Sequence, residues 1–422
     1  MKQEIKNRIK DINNGIVPNG YKKTEFGVFP CDWVTDKRLK DIGTFGKGKG
    51  LPGGKMISEG VPCVGYGDIY MKYNNFHFEK AESFVDEETA SESQPIQKGT
   101  LLFTGTGETA EEIGKCVCYN GDETIYAGGD IITFISNEVK PLFLAYQQYQ
   151  DFSLRNKASF GQGHSVVHIH ADNLEKLNVA YPKSADEQSK IAEILMKWDE
   201  AIELYNQYIE KLKQLKSICL KKMFPKKGER VPEWRFKGFT DAWEQRKLGE
   251  TAQIIMGQSP DGSTYSDFPT DYILVQGNAD LENGWVKPRI WTTQKTKYAV
   301  AGDLIMSVRA PAGSMGKTAY NVVLGRGVAA IKGNEFIFQV LTKMDLEGFW
   351  KKLSAGSTFE SLNSDNIINA NINLPSNLEQ DKIGSIFENI DNLITLHQCK
   401  VEKIKAQQKV LQKYLLNGIV RV

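Results

Sequence analysis

Three of the five histidines lie within seven residues of one another, at His164, His168 and His170, and Asp172 follows them. Neutral imidazoles and carboxylates are zinc ligands, so this set would suit a zinc-dependent hydrolase. An asparagine follows Asp172, however, and the two remaining histidines are distant in sequence. We therefore favour a chance cluster on a strand, and a zinc-dependent hydrolase using His168, His170 and Asp172 is kept as the alternative.

A second candidate for chemistry is the segment from Gly313 to Thr318, which ends in Gly-Lys-Thr like a phosphate-binding loop. The full motif requires glycine at position 311, where this chain has Pro311. Proline has no amide hydrogen and its φ is fixed, so the backbone cradle for phosphate cannot form there. The sequence therefore does not predict nucleotide binding at this segment.

Catalytic motifs for group transfer are also missing. Methyl transfer to a base would require an Asn/Asp-Pro-Pro turn beside an aromatic residue and a glycine-rich cofactor loop, and the chain has neither. No serine, histidine and acid are spaced in a way that favours hydrolysis, although such a triad assembles in space and not in sequence. We expect that the chain is not an enzyme.

A repeat of 192 residues organises the chain. Glu187-Gln188-Ser189-Lys190-Ile191 returns as Glu379-Gln380-Asp381-Lys382-Ile383, and Asp199 then matches Asp391 without a gap. Units of solenoid proteins have about 20 to 50 residues, so a repeat this long indicates a duplicated domain followed by a helix.

Each copy of the repeat predicts a long helix, over residues 187–224 and 379–416. A helix of about 38 residues is roughly 55 Å long. Apolar residues recur with a seven-residue period, which indicates a helix seam. We expect the helices either to pair only with each other or also to bind partner subunits on their outer flanks. The predicted interface residues are Ile191, Ile194, Trp198, Tyr205, Leu212, Ile383, Ile386, Ile390, Leu393, Ile404 and Leu411.

The segments before the helices read as short strands with glycine-rich turns, which predicts an α+β fold. Shared anchors link them: Gly114-Lys115 matches Gly316-Lys317, and residues 163–173 match 356–366. Elsewhere the two segments share little, as expected of two domains that bind different targets on one frame. The predicted divisions are an N-terminal helical segment (1–20), module one (21–185), a central helix (186–225), module two (226–377) and a C-terminal helix (378–422).

Composition limits the class of protein. The formal net charge is +1, so any contact with nucleic acid must come from local patches. No apolar run approaches the roughly 20 residues of a membrane helix. The six cysteines are scattered and contain no C-x-x-C pair, which favours reduced thiols and a cytoplasmic protein.

With tandem modules and two helices in place, the chain resembles the specificity subunit of type I restriction-modification systems over nearly its full length. The shared marks are the two Glu-Gln segments, Gly257-Gln258-Ser259-Pro260, and the run from Leu304 to Pro311 that contains Arg309. Module one departs from this pattern, with Lys47-Gly48-Lys49-Gly50 at the first place and Thr106 at the place of Arg309.

The resemblance implies a non-catalytic DNA-binding subunit. Two target-recognition domains, separated by two long helices that form an antiparallel coiled coil, would each bind half of a bipartite asymmetric site. The helices would dock two methyltransferase subunits, which bring S-adenosylmethionine and modify adenine, and restriction and motor subunits would join. The chain itself would hold no cofactor. Half-sites one DNA turn apart are separated by about 34 to 36 Å, a distance that a helix of roughly 55 Å can set.

Loops after strands are the expected DNA contacts. Arg309 carries the fork that pairs with guanine O6 and N7, although a phosphate or surface role is an equal alternative. Lysines in a glycine loop more often contact phosphates. The candidates are Lys47, Lys49, Thr104, Thr106, Gln162, His164 and Ser165 in module one, and Gln258, Ser259, Arg309, Arg326, Ser357 and Thr358 in module two. A helical scaffold without a DNA role is a further alternative.

Overall fold

Two stretches without an internal proline form the longest helices of the chain. The computed structural model describes residues 3–51, 56–73, 76–163, 166–354 and 361–422. The two long helices span Ala185–Lys222 and Asn377–Leu416. Both lie within two residues of the predicted ranges. The prediction of an α+β fold with two long helices is confirmed.

The helices of the chain fall into two long ones and a set of short ones. Their bounds are α1 Gln3–Asn13, α2 Leu39–Ile42, α3 Tyr66–Met71, α4 Glu87–Ser91, α5 Pro141–Gln147, α6 Asp151–Phe160, α7 Ala171–Leu174, α8 Ala185–Lys222, α9 Leu248–Thr251, α10 Glu335–Leu346, α11 Phe349–Ser354, α12 Ser364–Ile368 and α13 Asn377–Leu416. No helix in the described ranges is both long and apolar enough to cross a membrane.

The chain divides into two units, each with its own core. Unit 1 contains residues 1–204 and 402–422, and unit 2 contains residues 205–401. The first part of α8 and the last part of α13 therefore belong to unit 1, and their other parts belong to unit 2. The finer domain boundaries listed above stay predictions.

Unit 1 is built from short strands. They are β1 Tyr21–Thr24, β2 Gly27–Pro30, β3 Trp33–Arg38, β4 Gly43–Lys47, β5 Val61–Val64, β6 His77–Phe78, β7 Ser83–Val85, β8 Gln94–Ile96, β9 Thr100–Thr104, β10 Thr106–Gly107, β11 Cys116–Tyr119, β12 Ile125–Ala127, β13 Ile131–Ser136, β14 Val167–His168 and β15 Asn178–Pro182. The main sheet has the order β4-β13-β9-β11-β6 and a second sheet has the order β7-β5-β12-β8. Strands β3 and β15 pair separately, as do β1 with β2 and β10 with β14.

Unit 2 repeats this plan. Its strands are β16 Glu244–Lys247, β17 Gln253–Met256, β18 Tyr265–Ser266, β19 Tyr272–Val275, β20 Leu281–Glu282, β21 Trp285–Val286, β22 Ile290–Thr292, β23 Tyr298–Ala299, β24 Leu304–Ser307, β25 Met315–Lys317, β26 Val322–Leu324, β27 Val328–Lys332 and β28 Asn371–Leu374. The main sheet has the order β17-β27-β24-β25-β21-β20, and its first four strands correspond to β4-β13-β9-β11 of unit 1. The second sheet has the order β18-β22-β19-β26-β23, and β16 pairs with β28.

Strand register corrects one of the sequence matches. Leu101 pairs with Cys118 in unit 1, and its counterpart Leu304 pairs with Lys317 in unit 2. Counting back along these strands makes Gly313, rather than Gly316, the counterpart of Gly114. Both glycines have a left-handed φ, at 69° and 107°. The match of Gly114-Lys115 to Gly316-Lys317 was therefore wrong by three residues, because in unit 2 the turn glycine precedes a serine and the Gly-Lys pair follows three residues later.

The repeated glutamine fixes the start of each long helix to the module before it. Gln188 Oε1 accepts a hydrogen bond from the Lys140 amide (2.8 Å), and Gln380 Oε1 accepts one from Asn334 Nδ2 (3.0 Å). Each glutamine also donates through Nε2 to the carbonyl of the proline that precedes its helix, at 2.8 and 3.0 Å. The glutamine of the Glu-Gln motif thus connects the first turn of each long helix to the end of the preceding strand and to the module.

The repeated glutamate is buried beside that glutamine and accepts a guanidinium. In unit 2, Arg235 donates through Nε and Nη2 to the two carboxylate oxygens of Glu379, both at 2.8 Å. In unit 1, Arg421 donates to both oxygens of Glu187 and, at 3.0 and 2.9 Å, to Asp32. These carboxylates raise the pKa of the Arg421 guanidinium. Each pair joins one long helix to the segment that follows the end of the other.

The two long helices run antiparallel within each unit and share a polar contact at equivalent places. In unit 1, the buried Asp199 accepts from Gln408 Nε2 (2.5 Å) and from the Tyr146 hydroxyl. In unit 2, its counterpart Asp391 lies 2.8 Å from Lys216. Burial raises the pKa of the Asp199 carboxyl, and the two hydrogen bonds offset part of that effect.

Burial along the helices follows a seven-residue period but not the whole predicted seam. Leu195, Ile202 and Ile209, each four residues after a predicted position, are buried. The reason is that each helix packs against its module as well as against the other helix, as the shared cores show. Among the predicted interface residues, the buried ones are Ile191, Leu212, Ile383 and Ile390, the half-buried ones are Ile194, Trp198, Tyr205, Ile386, Ile404 and Leu411, and the exposed one is Leu393.

Unit 1 also encloses a lysine. Lys157 on α6 is 1% exposed and donates to the Gly114 carbonyl at 2.9 Å, with Nζ 5.4 Å from the Tyr149 ring centre. Desolvation lowers the pKa of Lys157 from 10.5 to about 8. Its counterpart in unit 2 is the buried Trp350, so the fold accepts an apolar group at this position.

The buried pair in unit 2 leads to a prediction. Arg235→Ala leaves Glu379, which is 1% exposed, without its guanidinium, and removing one partner of a buried pair costs about 3–5 kcal/mol. We expect a clear fall in the urea midpoint of unfolding, followed by tryptophan fluorescence. The control is Arg246→Ala, whose partner Glu244 is exposed, and this variant should keep an almost unchanged urea midpoint because exposed ion pairs contribute little to stability. Equal decreases in the urea midpoint of both variants would show that the Arg235–Glu379 pair does not stabilise unit 2.

A second prediction concerns the pH dependence of stability. The folded state lowers the pKa of Lys157, so the unfolded chain binds more protons between about pH 8 and 10.5 and stability rises with pH there. Relative to Lys157→Met, the wild-type chain should therefore gain about 2 kcal/mol in free energy of unfolding between pH 7.5 and pH 10. Urea titrations of both proteins at the two pH values measure this. If the difference in free energy of unfolding between the two proteins did not change with pH, the lowered pKa of Lys157 would be contradicted.

Candidate nucleic-acid interface

Four segments of unit 1 meet at one end of its main sheet and form a surface that we name the loop edge of unit 1: residues 47–50, 104–107, 128–131 and 166–169. The amide of Gly48 donates to the Ile131 carbonyl (2.8 Å) and that of Lys49 to the Ala127 carbonyl (3.1 Å). The Gly105 amide donates to the Asp130 carbonyl (2.8 Å). These bonds hold the loops in fixed positions relative to one another.

Unit 2 has an equivalent surface, which we name the loop edge of unit 2: residues 256–259, 307–310, 325–328 and 361–362. Its loops are held by equivalent hydrogen bonds. The amide of Gly257 donates to the Val328 carbonyl (2.9 Å) and that of Gln258 to the Leu324 carbonyl (2.8 Å). The Val308 amide donates to the Gly327 carbonyl (2.9 Å). The two loop edges therefore share one backbone arrangement although their sequences differ.

A further bond extends this equivalence to the last segment of each edge. The Ile169 amide donates to the Gly105 carbonyl, and the Leu362 amide donates to the Val308 carbonyl, both at 2.9 Å. In the adjacent bridges, Thr106 pairs with His168 and Arg309 pairs with Ser361. Thr106 and Arg309 thus stand at equivalent places.

Glycine is required where the loops cross. A Cβ on Gly48 would lie 1.8 Å from the Gly128 carbonyl oxygen, and one on Gly257 would lie 2.0 Å from the Gly325 carbonyl oxygen. No side chain fits at either distance, so both positions need glycine whatever the neighbouring residues are. The sequence indicated glycine-rich turns here but not this contact between two backbones.

The predicted residues of module one differ in exposure. Lys47, Lys49 and Gln162 are exposed. Thr104 is buried, with its hydroxyl 2.8 Å from the Tyr70 hydroxyl, so it supports the edge from beneath. Thr106 is half-buried, and its hydroxyl lies 3.3 Å from His168 Nδ1. His164 and Ser165 lie outside the described residues.

The predicted residues of module two come together at the edge. Gln258, Arg309 and Arg326 are exposed, and Ser259 Oγ accepts from the Arg326 amide at 3.2 Å. Within the described parts of the chain, neither guanidinium has an ion-pair or hydrogen-bond partner. Two unpaired cations on neighbouring loops form a local positive patch, which attracts phosphates and guanine acceptors. Ser357 and Thr358 lie outside the described residues.

Neither the described histidines nor the Gly-Lys-Thr segment has the geometry of the site that its sequence suggests. His168 lies in β14, and His170 precedes α7, which contains Asp172. Across the described ranges, no group of three or more His, Cys, Asp or Glu side chains is placed to hold a metal ion. Lys317 lies in β25, not at the start of a helix, and its Nζ is 2.8 Å from Glu335. A phosphate loop is absent from this segment.

Sequence reasoning missed two residues of the loop edge of unit 1. Tyr70 on α3 supports Thr104 from 34 residues away in sequence, so no local pattern predicted this contact. Asp130 projects from the turn Gly128-Gly129-Asp130 and is exposed. The paired glycines before an acidic residue were the only local signal for this turn.

Comparisons with known proteins place the sequence among specificity subunits. The family model described as the type I restriction modification DNA specificity domain matches twice, at residues 30–214 and 240–406. The putative type I restriction enzyme MjaX specificity subunit of Methanocaldococcus jannaschii is 28% identical over 431 residues, covering 95% of this chain and 97% of that protein. The MjaIX specificity subunit of the same organism is 22% identical and covers 95% of this chain and 96% of that protein.

Solved structures support the fold. The S subunit of a type I restriction-modification system from M. genitalium has a TM-score of 0.61 at 15% identity, covering 91% of this chain and 96% of that one. A chain from a structure of type I R-M complex assembly and conformational transition has a TM-score of 0.53 at 20% identity, covering 96% and 99%. Since the family model matches most of the chain in two copies, this chain belongs to the family of type I restriction-modification specificity subunits.

Proposed function

We propose that the chain binds DNA at a bipartite, asymmetric sequence, with the loop edge of each unit contacting one half-site. The observation that carries this proposal is the shared backbone arrangement of two edges that expose different side chains. One frame with two sets of side chains suits two half-sites of different sequence. A duplicated scaffold without a DNA role would not require the edges to differ.

In unit 2 the base contacts are assigned to the two unpaired arginines. Arg309 and Arg326 project from adjacent loops that are tied together at Val308 and Gly327. A guanidinium fork pairs with guanine O6 and N7, and its loops are held in place before DNA arrives. Gln258 and Ser259 lie at the same edge and supply neutral donors and acceptors, and Ser357 and Thr358 complete the predicted set.

In unit 1 the edge is assigned a different balance of contacts. Lys47 and Lys49 are exposed lysines in the glycine loop, which favours phosphate contacts and positioning of the module. Thr106, Gln162, His164 and Ser165 are the proposed base contacts, and the buried Thr104 is assigned a supporting role. This edge depends less on arginine than the edge of unit 2.

The chain is proposed to be non-catalytic and to act within a complex in the cytoplasm. Two methyltransferase subunits would bring S-adenosylmethionine and modify adenine, and restriction and motor subunits would join them. Tyr208, Leu215 and Ile218 support a docking role for α8, because they lie on one helix face in unit 2 and are 43–45% exposed. An exposed apolar row on a helix is a common partner contact.

The assignment of Arg309 leads to a prediction for DNA binding by the complex with the methyltransferase. Arg309→Ala should weaken binding to the native site by about 1–3 kcal/mol and relax the preference at one base pair. Lys49→Ala should weaken binding evenly across sequences and lower the salt dependence by about one ion. Titrations of native and altered sites at several salt concentrations measure both effects, with Arg230→Ala as the control. If Arg309→Ala weakened binding equally for all sequences, Arg309 would contact a phosphate and not a base.

Independent recognition by the two modules gives a further prediction. Replacing residues 226–377 with module two from a specificity subunit of different target should change only one half of the recognised sequence, because each edge is built within its own unit. Mapping of methylated adenine across a genome, with and without the subunit, would show the result. Changes in both halves would contradict independent modules, and the absence of any bipartite motif would contradict the proposed function.

A further inference from the structure

We propose that Asp130 specifies one base pair of the half-site bound by module one, by accepting a hydrogen bond from the exocyclic amino group of cytosine or adenine. This inference rests on the proposed function, because it requires the loop edge of unit 1 to face DNA. It assigns a role to a residue that no sequence motif marked.

The backbone around Asp130 is fixed on every side. The Asp130 carbonyl accepts from the Gly105 amide (2.8 Å), the Gly129 amide donates to the Gly50 carbonyl (3.1 Å), and the Ile131 amide donates to the Gly128 carbonyl (3.1 Å). The side chain therefore starts from a defined point on the loop edge. A defined starting point is what a base contact needs, because a small displacement would break the hydrogen bond.

The carboxylate of Asp130 does not contribute to folding through a polar contact in the part of the chain that the structure describes. It is exposed, and no described residue forms an ion pair or hydrogen bond with it, although Lys47 and Lys49 lie on the same edge. Asp130 also borders a cavity of about 590 Å³ whose walls include Leu51 and Tyr66. The turn that carries Asp130 is therefore not covered by other described parts of unit 1 on the side of this cavity.

The fold does not require an acid at this place. With Gly327 as the counterpart of Asp130, unit 2 repeats the bonds from the Val308 amide to the Gly327 carbonyl and from the Val328 amide to the Gly325 carbonyl. Arg326 takes the place of Gly129, and its amide donates to the Ser259 hydroxyl instead of to a carbonyl. The carboxylate is therefore a difference between two edges that share one frame. Differences of this kind are where distinct base preferences must lie.

Electrostatics turn an acid at a DNA-facing edge into a selective contact. A carboxylate 4 Å from a phosphate is repelled by about 1 kcal/mol in water, and by more where water is excluded. Only cytosine N4 and adenine N6 present amino donors in the major groove, whereas guanine O6 and N7 and thymine O4 are acceptors. Asp130 would therefore bind favourably opposite an amino group and unfavourably opposite any other base edge.

The test uses the complex of this chain with its methyltransferase and a DNA library in which one half-site is randomised. Asp130→Ala should lower the preference at one base pair of the module-one half-site by on the order of ten-fold and leave the other half-site unchanged. Its binding to unrelated DNA should be equal or tighter, since a negative charge is removed. The base selected by the wild-type complex distinguishes cytosine from adenine as the source of the amino group.

Two further variants keep the result interpretable. Glu88→Gln removes an exposed carboxylate from α4 of the same unit, outside the loop edge, and should leave the selected sequence unchanged. Asp130→Asn keeps the size of the side chain but adds an amide donor, so it should also accept guanine or thymine acceptors and relax the preference at the same base pair. A selected sequence that is identical in wild type and Asp130→Ala would overturn the inference while leaving the proposed function intact. A wild-type complex that selects no bipartite sequence would instead refute the proposed function.

Discussion

A carboxylate buried in the first turn of each long helix is the constraint on which both units depend. Glu187 and Glu379 are 7% and 1% exposed, and an unpaired charge so deeply buried would be unstable. Arg421 and Arg235 remove that penalty with paired hydrogen bonds. Because each arginine comes from the segment after the other long helix, neutralising the carboxylate also fixes that segment. The neighbouring glutamine then ties the same turn to the module.

The parts of this architecture that follow local rules could be predicted from the sequence. Seven-residue periodicity and the absence of proline gave both long helices to within two residues, and the 192-residue repeat gave the two-unit plan. Residues that depend on distant partners could not be placed. Nothing near Glu379 indicates Arg235, and burial at Leu195 instead of Ile194 depends on the module that packs against the helix.

The candidate interface shows the same division. Lys47, Lys49, Gln258, Arg309 and Arg326 were predicted from loops and motifs, and the structure places all of them exposed on the loop edges. Thr104 is buried, which its position after a strand did not indicate. Tyr70 and Asp130 were missed because only the folded backbone brings them to the edge. His164, Ser165, Ser357 and Thr358 stay predictions.

The division of unit 1 into two pieces of sequence has a consequence for synthesis. Residues 1–204 leave the ribosome first, residues 205–401 of unit 2 follow, and only then do residues 402–422 of unit 1 emerge. Until that moment Glu187 has no guanidinium, Asp199 has no Gln408, and the first part of α8 lacks its antiparallel neighbour. Unit 2 is continuous in sequence and can close as soon as it is made. The nascent chain therefore carries an incomplete first unit throughout the synthesis of the second, which is the period when it most needs protection from aggregation.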